Sequence, residues 1–218
     1  MRGLDLSTLT LKAGGHPPGG DMCLLEATAY IADEPWSDRP QCVDPVLATF
    51  GRTWNDRMRT DEERASLKQY IPLLIGTADS RKLSGRRSWM ALDWLVRVHA
   101  ATWLRAAGIE QHAAALAALP AILNGNIAKA AQPTIDAAWA AAWAAAWDAA
   151  GAAAWDAAWD AAGDAAGAAA RAAAGGAAGV AAGVAAWGAA WGAAWDEPTV
   201  QELQVSAHAL FRAMIEAR

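Results

Sequence analysis

Cysteine is scarce in this sequence of 218 residues, which contains only Cys23 and Cys42. Two cysteines are too few for the disulfide framework that stabilises small secreted domains, and they are typical of a reducing compartment. The N-terminal stretch MRGLDLSTLTLKAGG lacks the apolar run that a secretory signal requires. The sequence therefore predicts a cytoplasmic protein.

Basic residues are scarce in the second part of the chain. Residues 1–133 hold 15 Lys and Arg against 14 Asp and Glu, whereas residues 134–218 hold 3 against 9. Neither part has the excess of positive charge that a phosphate backbone attracts. Nucleic acid is therefore not expected as a partner.

Leu, Ile and Phe are missing from residues 172–195, which form a long stretch without charge. The stretch is long enough to cross a bilayer, and its glycines occur at the spacing of helix dimers. Insertion, however, is driven by Leu, Ile, Phe and Val, and only Val180 and Val184 are present. We expect neither a membrane span nor a membrane partner.

Motifs with a defined chemistry are missing as well. The two cysteines and four histidines do not occur at metal-ligand spacing, and no Gly-rich phosphate loop follows a strand. Cys23 lies near a predicted helix N-terminus, which can lower the pKa of a thiol, and His16 or His99 is a conceivable base. Structural burial of Cys23 on an apolar face is the favoured alternative. No catalytic residue, cofactor site or metal site is predicted.

Helix start signals are plentiful in the first part. Asp21 is predicted to cap a helix over 22–32, and Asp44 followed by Pro45 predicts the start of a second. A capping box formed by Thr60 and Glu63 predicts a third over 61–70. The preceding residues 9–12 alternate like a strand without an evident partner and are interpreted as an extended arm.

The central core helix is predicted in SWMALDWLVRVHAATWLRAAG, which ends before Gly108. Its expected buried wall comprises Leu92, Leu95 or Val96, His99 and Trp103. At the end of the chain, a capping box over 199–202 predicts an amphipathic helix that docks through Leu203, Ala207, Leu210, Phe211 and Met214.

A basic run precedes the central helix and comprises Arg81, Lys82, Arg86 and Arg87. A solvated helix start is the simplest interpretation. Docking onto an acidic partner, including the acidic repeat of this or another copy, is the alternative.

A tandem repeat fills most of the second part. From Ala137 to Asp196 the chain consists of 15 tetrads of the form Ala-Ala-x-y, where x is Trp, Gly or once Arg171, and y is Ala, Asp, Val or Gly. Alanine is the best helix former and no proline interrupts the array, so helix is favoured over stacked strands despite nine glycines. Successive x positions advance by about 40° around a helix, so one helix cannot bury every indole against one neighbour.

Two arrangements of the array stay open. One is a rod on the order of 90 Å long, and the other is an antiparallel hairpin that turns within 163–176. Six tryptophans form mirrored pairs about Gly167, and the same mirror sets Trp155 and Trp159 opposite glycines, which favours the hairpin.

Eight tryptophans are the candidate interaction residues of this array: Trp139, Trp143, Trp147, Trp155, Trp159, Trp187, Trp191 and Trp195. Packing between helices is one interpretation, and an exposed surface that stacks on a ligand or partner is the other. The aspartates of the array form a solvated side or, less in keeping with their wide spacing, imitate the phosphates of a nucleic acid.

The stretch GGDMCLLEATAYIADEPWSDRPQCVDPVLATFGRTWNDRM, continuing through YIPLLIGTAD, resembles an uncharacterised family of small proteins frequent in actinobacteria and their phages, mycobacteriophages included. The resemblance covers roughly the first 110 residues and implies an actinobacterial or phage origin, with no activity or catalytic residues to transfer. The array is similar to Ala/Trp/Arg-rich repeats in proteins assigned to bacterial immunity.

We expect an all-α protein with a compact helical domain over 1–133, the repeat over 134–197 as a hairpin or rod, and an amphipathic helix over 198–218. The predicted function is non-enzymatic interaction or self-assembly through the array, with a protein partner or further copies, in a phage or actinobacterial accessory factor. Two alternatives are an immunity-type inhibitor of a specific enzyme and a thiol-dependent enzyme using Cys23.

Overall fold

The computed structural model describes residues 3–78, 80–148 and 197–217, which form an all-α fold. Within these ranges the only β pairing is a single bridge between Leu11 and Met22. The α-helices are α1 (Leu24–Ile31), α2 (Pro45–Arg57), α3 (Asp61–Ala65), α4 (Ile71–Leu74), α5 (Arg81–Trp94), α6 (Ala101–Ala106), α7 (Glu110–Ala117), α8 (Gly125–Asp148) and α9 (Glu197–Glu216). A 3₁₀ helix (Ser66–Tyr70) joins α3 to α4, and a π-helical stretch (Leu95–Ala100) joins α5 to α6.

The N-terminal arm is extended and is held by one bridge. The backbone N–H of Lys12 donates to the Met22 carbonyl at 2.9 Å, and Asn55 donates its side-chain amide to the Lys12 carbonyl at 2.8 Å. Leu11 is fully buried between these contacts. The arm therefore belongs to the core, although the sequence showed no partner for it.

The starts of α1 and α2 test the predicted caps. Asp44 caps α2 as expected, because its carboxylate accepts the N–H groups of Val46 and Leu47. The prediction of Asp21 as the cap of α1 is wrong. Cys23 is the N-cap, and Glu26 completes a capping box by accepting the Cys23 N–H at 2.8 Å. A thiol thus occupies the position that Ser or Thr usually holds.

The third predicted helix is only partly confirmed. Thr60 caps α3 by accepting the Glu63 N–H at 3.1 Å, but the Glu63 carboxylate accepts the N–H of Arg59 instead of that of Thr60. The α-helical hydrogen bonding ends at Ala65, and the chain tightens into the 3₁₀ helix before α4. The tighter turns bring both Leu67 and Tyr70 into the core.

The central core helix is confirmed over α5, the π-helical stretch and α6. All of its predicted wall residues are buried, and Leu95 and Val96 are buried together. The π-helical stretch explains this pair, because its wider turn lets two consecutive side chains face inward. Gly108 follows the end of α6 with φ of +77°, which is the left-handed conformation expected after a helix.

The closing helix α9 packs on an aromatic cluster of the N-terminal helices. The Phe211 ring is stacked on Phe50 at 5.3 Å between centroids and meets the edges of Trp54 at 5.8 Å and Tyr70 at 4.9 Å. The expected inward face is confirmed, with Leu210 only partly buried. The predicted start is not, because α9 begins at Glu197 and Thr199 lies inside its first turn.

The helix α8 crosses the predicted segment boundary at 133/134 without interruption and contains Pro133. Its buried positions include Ala131, Ile135, Ala138 and Ala142. The core therefore combines residues of the mixed first part, the opening tetrads of the repeat and the closing helix. The division into three segments stays a prediction.

Candidate interaction surface

Two helices that pack on the same body flank the greater part of the repeat. The helix α8 ends its described course at Asp148, and α9 begins at Glu197 and packs on α2, α5 and α6. Because both helices belong to one core, residues 149–196 are an insertion between two anchored elements. The sequence alone did not distinguish this arrangement from an appended tail.

The first two tetrads of the repeat pack on the body. In each of them the second alanine, Ala138 or Ala142, is buried in the core. Trp139 follows Ala138 and is partly buried against the same core. Small side chains at the buried positions let α8 approach its neighbours closely, while the indole lies at the margin of the contact.

Trp139 borders a small apolar pocket between α6, α7 and α8. The pocket is lined by Val96, Ala100, Trp103, Leu104, Leu116, Ile135, Ala138 and Trp139. Its lining is apolar, so it offers no hydrogen-bonding partner for a polar ligand. We interpret it as a packing defect where the array begins.

The structure describes only part of the predicted tryptophan row. The backbones of Trp143 and Trp147 lie in α8, but their side chains lie outside the described part. The remaining five candidates, Trp155, Trp159, Trp187, Trp191 and Trp195, lie outside the described residues altogether. The choice between a rod and a hairpin therefore stays a prediction.

The closing helix is anchored by polar contacts as well as by Phe211. The indole N–H of Trp54 donates to Gln204 at 3.0 Å, and that of Trp94 donates to Ser206 at 3.1 Å. Each anchor joins the N-terminal body to a position more than a hundred residues later in the chain. These hydrogen bonds fix the register of α9, because a one-turn slip would leave buried donors without acceptors.

His208 provides a further anchor of α9. Its Nδ1 lies 2.8 Å from the Tyr70 hydroxyl, and its Nε2 lies 3.3 Å from the hydroxyl of Ser66. Burial, together with the positive charge of Arg212, lowers the pKa of His208. The neutral imidazole is therefore the form that fits this contact.

Cys23 does not have the environment of a nucleophile. The residue is fully buried, and burial raises the pKa of its thiol to about 12, contrary to the expectation from the helix N-terminus. The ring Nδ1 of His16 lies 2.8 Å from a carboxylate oxygen of Glu26. Burial raises the pKa of Glu26, but the N–H donors of Cys23 and His16 outweigh it and lower that pKa. His16, Cys23 and Glu26 therefore form a capped helix start that fixes the loop before α1.

The four residues of the basic run differ in burial. Arg87 is buried, lies 3.0 Å from the Asp44 carboxylate, and donates to the carbonyls of Met214 and Thr77 at 2.9 Å each. Arg81, Lys82 and Arg86 are exposed. Sequence reasoning missed the buried pair, because no local signal links residues 43 positions apart; Asp44 was identified only as a cap.

Metal-binding clusters and membrane-spanning helices are both missing from the described ranges. No group of three His, Cys, Asp or Glu side chains there is placed to hold a metal ion. No helix in the same ranges has both the length and the apolar character needed to span a bilayer. The uncharged stretch over 172–195 lies outside those ranges.

The chain matches no protein-family model, no curated protein and no solved structure. The resemblance to actinobacterial and phage proteins therefore stays a prediction.

Proposed function

We propose that this protein is a non-enzymatic interaction protein that works through its Ala/Trp array, either by self-assembly or by binding another protein. The observation that carries the proposal is the anchoring of the array at both ends. Because α8 and α9 belong to one core, the helical body holds both helices that flank residues 149–196 in the chain. Tryptophan is enriched at protein interfaces, and the sequence between these helices carries five of the eight candidate tryptophans.

The margin position of Trp139 supports the same proposal. In the first two tetrads the buried contacts with the body are made by Ala138 and Ala142, whereas Trp139 is only partly buried against the same core. An indole that keeps part of its surface exposed can contact another indole or a partner protein through that part. A phage or actinobacterial accessory factor is the setting that the resemblance suggests.

The thiol-dependent alternative lacks support, because a fully buried thiol of raised pKa is a poor nucleophile. The immunity-type alternative predicts binding through the same array, with an enzyme as the partner. It is an outcome of the experiment below.

The test uses the full chain, because truncation at Pro133 would remove the buried part of α8 and all of α9. In the test variant, Trp155, Trp159, Trp187, Trp191 and Trp195 are all replaced by Ala, which favours helix more than Trp does. In the matched control they are replaced by Phe, which keeps aromatic surface. We expect light scattering to show assemblies for the parent and the Phe control, and monomers for the Ala variant.

The same proteins distinguish the remaining possibilities. A parent that is monomeric but binds a separate protein, with binding lost in the Ala variant, would assign the array to a foreign partner. Equal behaviour of the parent and the Ala variant in both assays would refute a role for the array.

A further inference from the structure

The exposed basic face of α5 has a feature that folding does not explain. We define this basic face as Arg81, Lys82 and Arg86 with the partly buried Trp89. Arg81 and Lys82 occupy the first turn of α5, directly after the N-cap Ser80, and the first turn contains no acidic residue. Cations at a helix N-terminus oppose the helix dipole and reduce helix stability.

The start of α3 carries the opposite charge to the start of α5. The first turn of α3 contains Asp61, Glu62 and Glu63, which is the arrangement that a helix N-terminus favours. Asp61 is also paired with Lys12 and Arg64. Arg81 and Lys82, in contrast, form no ion pair or hydrogen bond with any side chain in the described part of the chain. Departures from such helix-stabilising patterns are typical of functional surfaces.

Trp89 extends this face with an aromatic surface. The indole N–H groups of Trp36, Trp54 and Trp94 each donate to a named acceptor, whereas that of Trp89 has no partner among the described residues. Leu123, which lies 61% exposed, is two residues from Gly125, where an added Cβ would come within 4.0 Å of the Trp89 ring. The basic face therefore combines exposed cations with apolar surface.

We infer that this basic face binds the acidic tetrads of the array in a second copy of this chain. The inference rests on the proposed function. The array carries five aspartates and one arginine, while the basic face carries three exposed cations, since Arg87 is buried against Asp44. Charge complementarity therefore favours the array as the occupant.

The spacing of the charges also agrees. Lys82 and Arg86 are four residues apart, which places them about 6 Å apart along α5. Asp156, Asp160 and Asp164 also recur every four residues, so the helix predicted for the array would repeat its carboxylates at the same interval. Each of Asp156 and Asp160 directly follows a tryptophan, which provides an aromatic neighbour for Trp89.

The test measures self-association of the full chain by sedimentation at low and high salt. The variant R81E/K82E reverses two charges of the basic face, and it preserves the fold because Glu is favoured in the first turn of a helix. The matched control R105E/K129E makes the same change in net charge at exposed sites on α6 and α8. A third variant, D156K/D160K, reverses the proposed partner charges.

We expect R81E/K82E and D156K/D160K each to weaken self-association by about tenfold at low salt, and R105E/K129E to leave it nearly unchanged. An equimolar mixture of the first two variants is expected to regain most of the parent affinity. High salt is expected to reduce the difference between parent and variants.

Other results overturn the inference. If the parent associates and both Glu variants weaken it equally, net charge and not the basic face is responsible, and the proposed function stands. If R81E/K82E abolishes binding to duplex DNA but leaves self-association intact, the face binds phosphates. A parent that stays monomeric at every concentration refutes both this inference and the self-assembly form of the proposed function.

Discussion

The tryptophans of the body have different neighbours in the structure, whereas those of the array have nearly the same neighbours along the sequence. In the body each of Trp36, Trp54 and Trp94 donates its indole N–H to a different acceptor, and each acceptor comes from a distant part of the chain. In the array each tryptophan is preceded by the same two alanines and followed by Ala, Asp or Gly. A unique neighbourhood specifies one position for a side chain, whereas a repeated one offers many equivalent registers.

The proposed association through the array depends on this repetition. A register shift of four residues leaves nearly the same side chains in contact, so the array can pair with a copy of itself in several ways. The body prevents such slippage where the array is attached. Its anchors on α9, such as Trp54 with Gln204, exist in only one register.

The largest expected effect comes from Trp54→Ala. Trp54 is fully buried and contacts Phe50, Tyr70, His208 and Phe211, so its removal leaves a cavity in the aromatic cluster. We expect a loss of about 3–5 kcal/mol in the free energy of unfolding, measured by urea denaturation. If Trp159→Ala in the array cost as much, the contrast between unique and repeated environments would be invalid.

The next effect tests the buried ion pair. Arg87→Met leaves the Asp44 carboxylate buried without its cation, and we expect a loss of about 3 kcal/mol in the free energy of unfolding. The matched control, Lys82→Met, removes an exposed cation of the same run and is expected to change stability by less than about 0.5 kcal/mol. Equal losses in the two variants would contradict the burial of Arg87.

A smaller effect is expected for Gly51→Ala. An added Cβ would lie 3.1 Å from Leu24 Cδ2 and 3.3 Å from Phe211 Cζ, which is too close for ordinary packing between α1, α2 and α9. We expect overpacking to destabilise the protein by about 1–2 kcal/mol in urea denaturation, despite the higher helix propensity of alanine. Gly85→Ala on α5 meets nothing within 4 Å and is expected to stabilise it slightly. Stabilisation by both changes would contradict the tight approach at Gly51.

The smallest effect is a dependence on pH at the His208 anchor. Because burial lowers its pKa in the folded state, the unfolded chain takes up the proton first as the pH falls. Stability is therefore retained above the ordinary histidine pKa of about 6.5 and declines below it. The groups that face the imidazole are the Tyr70 and Ser66 hydroxyls, the Trp54 ring and, on α9 itself, Arg212.

Thermal unfolding between pH 7 and pH 5 measures this dependence. His208→Gln is expected to reduce the slope over that interval, while His112→Gln on α7 serves as the control. An unchanged slope in the His208 variant would mean that the imidazole accepts a proton without loss of the contact.

Prediction from the sequence succeeded where the signal was local. The cap at Asp44, the buried wall from Leu92 to Trp103 and the inward face of α9 follow from spacing within a few residues. It failed at the start of α1, where a Cys–Glu pair performs the role usually seen with Ser or Thr. Of the candidate site, the sequence identified the array and the basic run but not which of the cations is buried.

The sequence by itself determined the helical class, because alanine-rich and amphipathic periodicity leaves the backbone little alternative to helix. It also determined the contrast in charge between the basic run and the array. Only the tertiary structure decided that α8 and α9 share one core, that Arg87 turns inward while Arg81 and Lys82 stay outside, and that the array is held at both ends. Those facts depend on contacts between residues far apart in the chain, whose energies no local pattern encodes.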